Sequence, residues 1–114
     1  MKIGIIQGRL SEPKEGFQEC PVNWQRELHL LPSVDLNHVE WIITEKNYWN
    51  NPIFSGANIN KELVSSICVD FLVGPVFHDS TKFHAYMSPV LDAARRRGIN
   101  SITIPLLEDS SVED

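Results

Sequence analysis

The sequence predicts an α/β fold: a parallel sheet of about four strands joined by crossover helices. Two observations predict it. First, residues 2–6, 38–43, 65–72 and 101–105 are rich in Ile and Val and run continuously apolar instead of alternating. That is the pattern of strands buried on both faces. Second, the four stretches recur at spacings of roughly 25–35 residues, and no hairpin-length turn joins any two of them, as in βα units feeding a parallel sheet.

The segments between the strands carry the helix signals. Over residues 23–31, Trp24, Leu28 and Leu31 fall at helical spacing, and Pro32 and Asp35 then turn the chain toward the second strand. The clearest helix lies between Asp79 and Arg97, where Phe83, Met87, Val90, Leu91 and Ala94 share a face. Asp79, Ser80 or Thr81 can cap its start, and Gly98 follows as a C-terminal glycine should. Arg95, Arg96 and Arg97 suit the negative end of the helix dipole, and read as a solvated helix end. Pro89 falls inside this helix and is expected to kink it; the alternative is a second, shorter helix opened by Ser88 and Pro89. The second crossover is thin. Only residues 59–64 offer a helix, and NYWNNPIFSGAN before them reads as loop.

Composition excludes several function classes. The chain has 114 residues, one domain's worth at most, with 42% hydrophobic and 22% charged residues. A net charge of −5 argues against a nucleic-acid partner, because phosphate binding wants a basic face. No stretch approaches the length of a membrane span. The N-terminus lacks a secretory pattern, so Cys20 and Cys68 are read as free thiols of a cytoplasmic protein. Their spacing alone leaves a disulfide open. Neither a P-loop, a GxGxxG, a CxxC nor a GxSxG is present. The histidines His29, His38, His78 and His84 show no metal-ligand spacing, and only His78 falls near the strand ends that matter.

In parallel α/β folds, ligands bind where the βα loops converge at the carboxyl ends of the strands. The first strand ends in Gln7, Gly8 and Arg9; Glu40 lies within the second, Asp70 within the third, and Glu108 and Asp109 follow the fourth. Carboxylates inside apolar runs are rarely buried without a partner. Glu40 and Asp70 are therefore the catalytic candidates, able to take a proton or hold sugar hydroxyls. Gln7, Arg9 and Trp41 are the substrate-binding candidates. A guanidinium at a strand end can make bidentate contacts to a carboxylate or phosphate, and a glycine lets backbone approach closely. The structural alternative is an internal salt bridge from Arg9 to Glu40 or Asp70, or an ordinary turn.

Four stretches carry a family resemblance: KIGIIQGRLSEP, HVEWIITEKNYWNNPIFS, SICVDFLVGPVF and RGINSITIPLLEDSS. In that order they resemble the N-terminal half of xylose-isomerase-like TIM-barrel proteins, the sugar phosphate isomerases and epimerases. The resemblance implies a partial (β/α)8 barrel and a sugar or sugar-phosphate substrate. It also implies a divalent metal, whose Glu, Asp and His ligands come mainly from later strands. Glu40 and Asp70 match acidic positions of the second and third strands, and Gln7 and Arg9 match the loop after the first. A full barrel takes about 250 residues. The chain is accordingly expected to be a truncated N-terminal half, inactive alone, with open strand edges that favour a homodimer. The other reading is a small non-catalytic α/β module that binds a ligand or partner through the same face.

Overall fold

A computed structural model describes residues 2–11, 20–70 and 79–105. Four strands form one sheet: β1 (Gly4–Ile6), β2 (His38–Ile43), β3 (Val64–Val69) and β4 (Ile102–Thr103). All neighbours pair in parallel, in the order β1-β2-β3-β4. Among the described residues two α-helices accompany them, α1 (Trp24–Leu30) and α2 (Ser80–Arg97). The expected α/β class and parallel sheet are present.

The strand order follows the chain without reversal, and right-handed crossovers then place successive helices on one side of the sheet. The core agrees. Trp24 of α1 and Met87, Val90, Ala93 and Ala94 of α2 join Val39, Trp41, Ile43, Ile67 and Val69 in a single cluster. Strand side chains alternate between faces. So Val39, Trp41 and Ile43 meet the helices, while His38, Glu40 and Ile42 lie on the other face. Register carries this across the sheet. Ile6 and Ser66 are the partners of Glu40, and Thr103 is the partner of Cys68. A shift between Val39 and Glu40 sets Ser65 out of register, and its hydroxyl donates to Val39 O at 3.2 Å.

α2 runs as one helix through Pro89, as the favoured reading has it, and the alternative second helix does not start there. Proline takes away the donor for the carbonyl four residues back, which belongs to Ala85. Ala85 and Pro89 are both exposed, so solvent can satisfy that carbonyl. The helix ends are as read: the Asp79 side chain accepts from Lys82 N, and Gly98 (φ 73°) closes the C-terminus.

The second crossover does depart from expectation. Residues 59–64 form no α-helix. Lys61–Leu63 make one 3-10 turn, Asn60 accepts from Glu62 N at 3.0 Å, and Val64 already begins β3. The preceding stretch is instead an ordered loop with its own buried groups, Tyr48, Asn51 and Ile53. Arg97 fastens it. Nε donates to Ile53 O, Nη1 to Ala57 O, and Nη2 to Pro52 O and Ser55 O, at 2.7–3.1 Å. Arg97 is thus a clamp on four loop carbonyls, not a solvated helix end. A planar guanidinium can span such an arc; a single ammonium cannot. The expected extension of the third strand through Phe71 and Leu72, and the residues His78, Glu108 and Asp109, lie outside the described residues.

Candidate functional site

The sheet face opposite the helices is built around Glu40. Its Oε2 accepts from Ser66 Oγ at 2.6 Å and from Thr103 Oγ1 at 3.1 Å, linking β2, β3 and β4. Among the described residues, Oε1 makes no hydrogen bond. An open concavity of about 240 Å³ is lined by Gly4, Ile5, Ile6, His38, Glu40 and Ser65. Glycine is required at position 4 because a Cβ there would overlap the His38 imidazole. His38 Nδ1 is the one buried side-chain polar atom without a hydrogen bond among the described residues.

Cys68 lies on the same face, paired with Thr103 and two residues before Asp70. Burial raises its thiol to about 11, and the Glu40 and Asp70 carboxylates push the same way. Both carboxylates therefore act on this one position. Asp70 itself is exposed just past β3, its N–H held by Ile43 O at 3.0 Å.

The end of β1 is different from what its residue types promise. Gln7 is buried, 2% exposed. Its backbone N–H donates to Glu40 O, and its side-chain Oε1 accepts from Ile42 N at 2.9 Å. Gln7 is a tie between β1 and β2, not part of an open rim. Gly8 is buried with φ 93°, and its N–H donates to Glu27 Oε1 at 2.9 Å. Leu10 N and Ser11 Oγ donate to Glu27 Oε2 at 3.0 and 2.9 Å. A carboxylate from α1 thus fills the anion-sized nest after β1 from inside. The N–H groups that could have cradled a phosphate are already used. Arg9 is exposed beyond this nest.

Trp41 also belongs to the interior. It is fully buried on the helix side of β2, and its Nε1–H donates to Asn51 Oδ1 at 2.7 Å. Trp24 packs edge-on against it at 5.4 Å. Its indole is one position from Glu40, and strand alternation sends the two to opposite faces.

Of the five residues singled out in the sequence, Glu40 lies on the sheet face of Cys68 and Asp70 is exposed just past the end of β3. Arg9 stays exposed at the strand end, while Gln7 and Trp41 are corrected to interior roles. Sequence reading missed Glu27 and Asn51. Glu27 had a signal: it sits three residues after Trp24 and four before Leu31, on the apolar stripe of α1. Asn51 holds Ile42 O through Nδ2 at 3.0 Å and accepts from Ile53 N at 3.0 Å, contacts that only the folded loop creates.

No protein-family model, no curated protein and no solved structure matches the chain. Among the described residues, no group of three or more His, Cys, Asp and Glu side chains could hold a metal ion. No helix of the described residues is long and apolar enough to cross a membrane.

The thiols give a direct check on the packing. Cys20 and Cys68 are free, and burial holds them near 12 and 11. The thiolate is the reactive form. Iodoacetamide at neutral pH should leave both unmodified in the native chain and alkylate both in urea. Stability should also fall as pH rises above about 9, because the unfolded chain then releases thiol protons that the folded chain keeps. Rapid native-state alkylation of either cysteine contradicts its placement.

Proposed function

We propose that the chain is the N-terminal part of a cytoplasmic sugar or sugar-phosphate isomerase or epimerase of the xylose-isomerase-like barrel type, inactive by itself. One observation carries the reading: the sequential parallel sheet puts Glu40, and Asp70 just beyond it, beside Cys68 on the face turned away from the helices. In a barrel that face is the interior, and chemistry gathers at its carboxyl end. Glu40 is suited to a proton-handling role. Ser66 and Thr103 orient the carboxylate through one oxygen, and Glu40 lines the concavity. Asp70 is placed to accept a substrate hydroxyl. A divalent ion would supply electrophilic help to the substrate carbonyl, with ligands from later strands.

The reading frame beyond Asp114 tests this. Four further βα units with Glu, Asp and His at strand ends are expected, and an immediate natural stop codon overturns the reading. In the longer protein, solvent deuterium should enter an aldose or ketose beside its carbonyl. Glu40→Gln should slow that exchange by about 100-fold or more. Undiminished exchange removes Glu40 from the chemistry.

A non-catalytic binding module, alone or as a half-barrel homodimer, is favoured by a different observation. Among the described residues after β1, Gly8, Leu10 and Ser11 turn their donors inward onto Glu27 and not toward a ligand. Size-exclusion with thermal melting separates the two readings. A sharp, cooperative transition at monomer or dimer mass supports the module, and aggregation with a broad transition supports the enzyme fragment.

A further inference from the structure

A second concave site lies away from the Glu40 face, between the loop that follows β2 and the outer side of α2. It is a cleft of about 390 Å³ lined by Tyr48, Trp49, Phe54, Pro89, Asp92 and Arg96. We propose that it binds a neutral pyranose ring, stacked on Trp49 and hydrogen-bonded by Asp92 and Arg96. The proposal is independent of the isomerase reading.

Trp49 is 83% exposed, whereas Trp24 and Trp41 are buried. The exposed indole is nevertheless held in place. Tyr48, only 3% exposed, meets it edge-on at 5.0 Å and 79°. Tyr48 is itself fixed by Phe54 at 5.0 Å and by its hydroxyl, which donates to Tyr86 O at 2.9 Å. A flat apolar surface is thus presented to solvent beside a fixed ring.

The polar lining narrows the ligand. Asp92 and Arg96 are one turn apart on α2 and so project to the same side. Among the described residues, no hydrogen bond or ion pair joins either to a protein partner. The carboxylate only accepts and the guanidinium only donates. A ligand that satisfies both needs adjacent donor and acceptor groups, and the opposite charges ask for no net charge. Neighbouring hydroxyls of a sugar ring meet that demand. The ring's C–H face carries the weak positive polarity that the negative face of an indole attracts. A mostly apolar cleft of this size with a few convergent polar groups is the usual form of a small-molecule site.

The test uses the full chain labelled with nitrogen-15 and three probes: methyl β-D-glucopyranoside, methyl β-D-galactopyranoside and methyl β-D-xylopyranoside. Adenosine serves as a flat, neutral comparator. The Trp49 indole signal should shift saturably with at least one glycoside, with Kd of about 1–10 mM, while the Trp24 and Trp41 signals stay still. Asp92→Ala and Arg96→Ala should each weaken binding by about tenfold, the loss expected for a charged hydrogen bond. Trp49→Ala should abolish the shifts of the loop amides. All three positions are exposed, so signal dispersion should be retained. The backbone amide signals of Ile6, Glu40 and Ser66 should stay still during the titration, which separates this cleft from the sheet face. No shift at about 100 mM of any glycoside, undiminished binding in Asp92→Ala, or adenosine binding as tightly as the best glycoside each overturns the proposal.

Discussion

Trp41→Ala is expected to cost about 3–5 kcal/mol of folding stability, the range for emptying a fully buried aromatic site. That is a large part of the whole margin of a small domain, roughly 5–15 kcal/mol. The indole is wholly enclosed among strand and helix side chains, and its N–H is satisfied by Asn51. Trp41→Phe separates the two contributions. It keeps most of the bulk but leaves Asn51 Oδ1 with Ile53 N as its remaining donor. Its cost should be smaller, about 1–3 kcal/mol. Urea midpoints measure both. If alanine left the midpoint unchanged and weakened sugar binding instead, Trp41 would be a rim residue after all.

Glu27→Ala is expected to cost about 2–4 kcal/mol, because it strands buried donors. The carboxylate accepts from Gly8 N, Leu10 N and Ser11 Oγ at once, and it is 2% exposed. Gln7 precedes this loop and bonds Ile42, so loosening the nest should be felt in the β1–β2 pairing. Glu27→Gln should recover part of the loss, since one acceptor oxygen remains while the amide nitrogen faces a donor. Hydrogen exchange gives the local readout: the Gly8 and Leu10 amides, protected in the native chain, should exchange quickly in Glu27→Ala. Unchanged protection together with an unchanged urea midpoint would mean that the nest is held by something else.

These two residues show where sequence reading stops. The apolar runs of β2 and β3 and the caps of α2 are local signals. Each depends on the residues within a few positions of it, and the structure has them close to where they were read. Partners are not local. Glu27 lies 19 residues from Gly8 in the chain, and Arg97 lies 40 or more from the carbonyls it clamps. A sequence shows that a carboxylate sits on an apolar stripe. It does not show which donors arrive there.

The candidate site divides along the same line. Gln7, Gly8 and Arg9 have the chemistry of a ligand-binding lip, and residue type alone made that reading attractive. Folding turned two of the three inward, because α1 brings an anion of its own to the nest. Trp41 and Glu40 are adjacent in sequence and separated by the sheet. Glu40 and Asp70, thirty positions apart, come to act on one thiol.

By itself the sequence determined the α/β class, the parallel strands among the described residues and the ends of α2. These follow from side-chain periodicity and backbone preference, which are short-range. Tertiary structure alone decided which polar groups remain open to a ligand. That outcome depends on which buried donors and acceptors find each other first, and the low-dielectric interior leaves none of them cheaply unpaired.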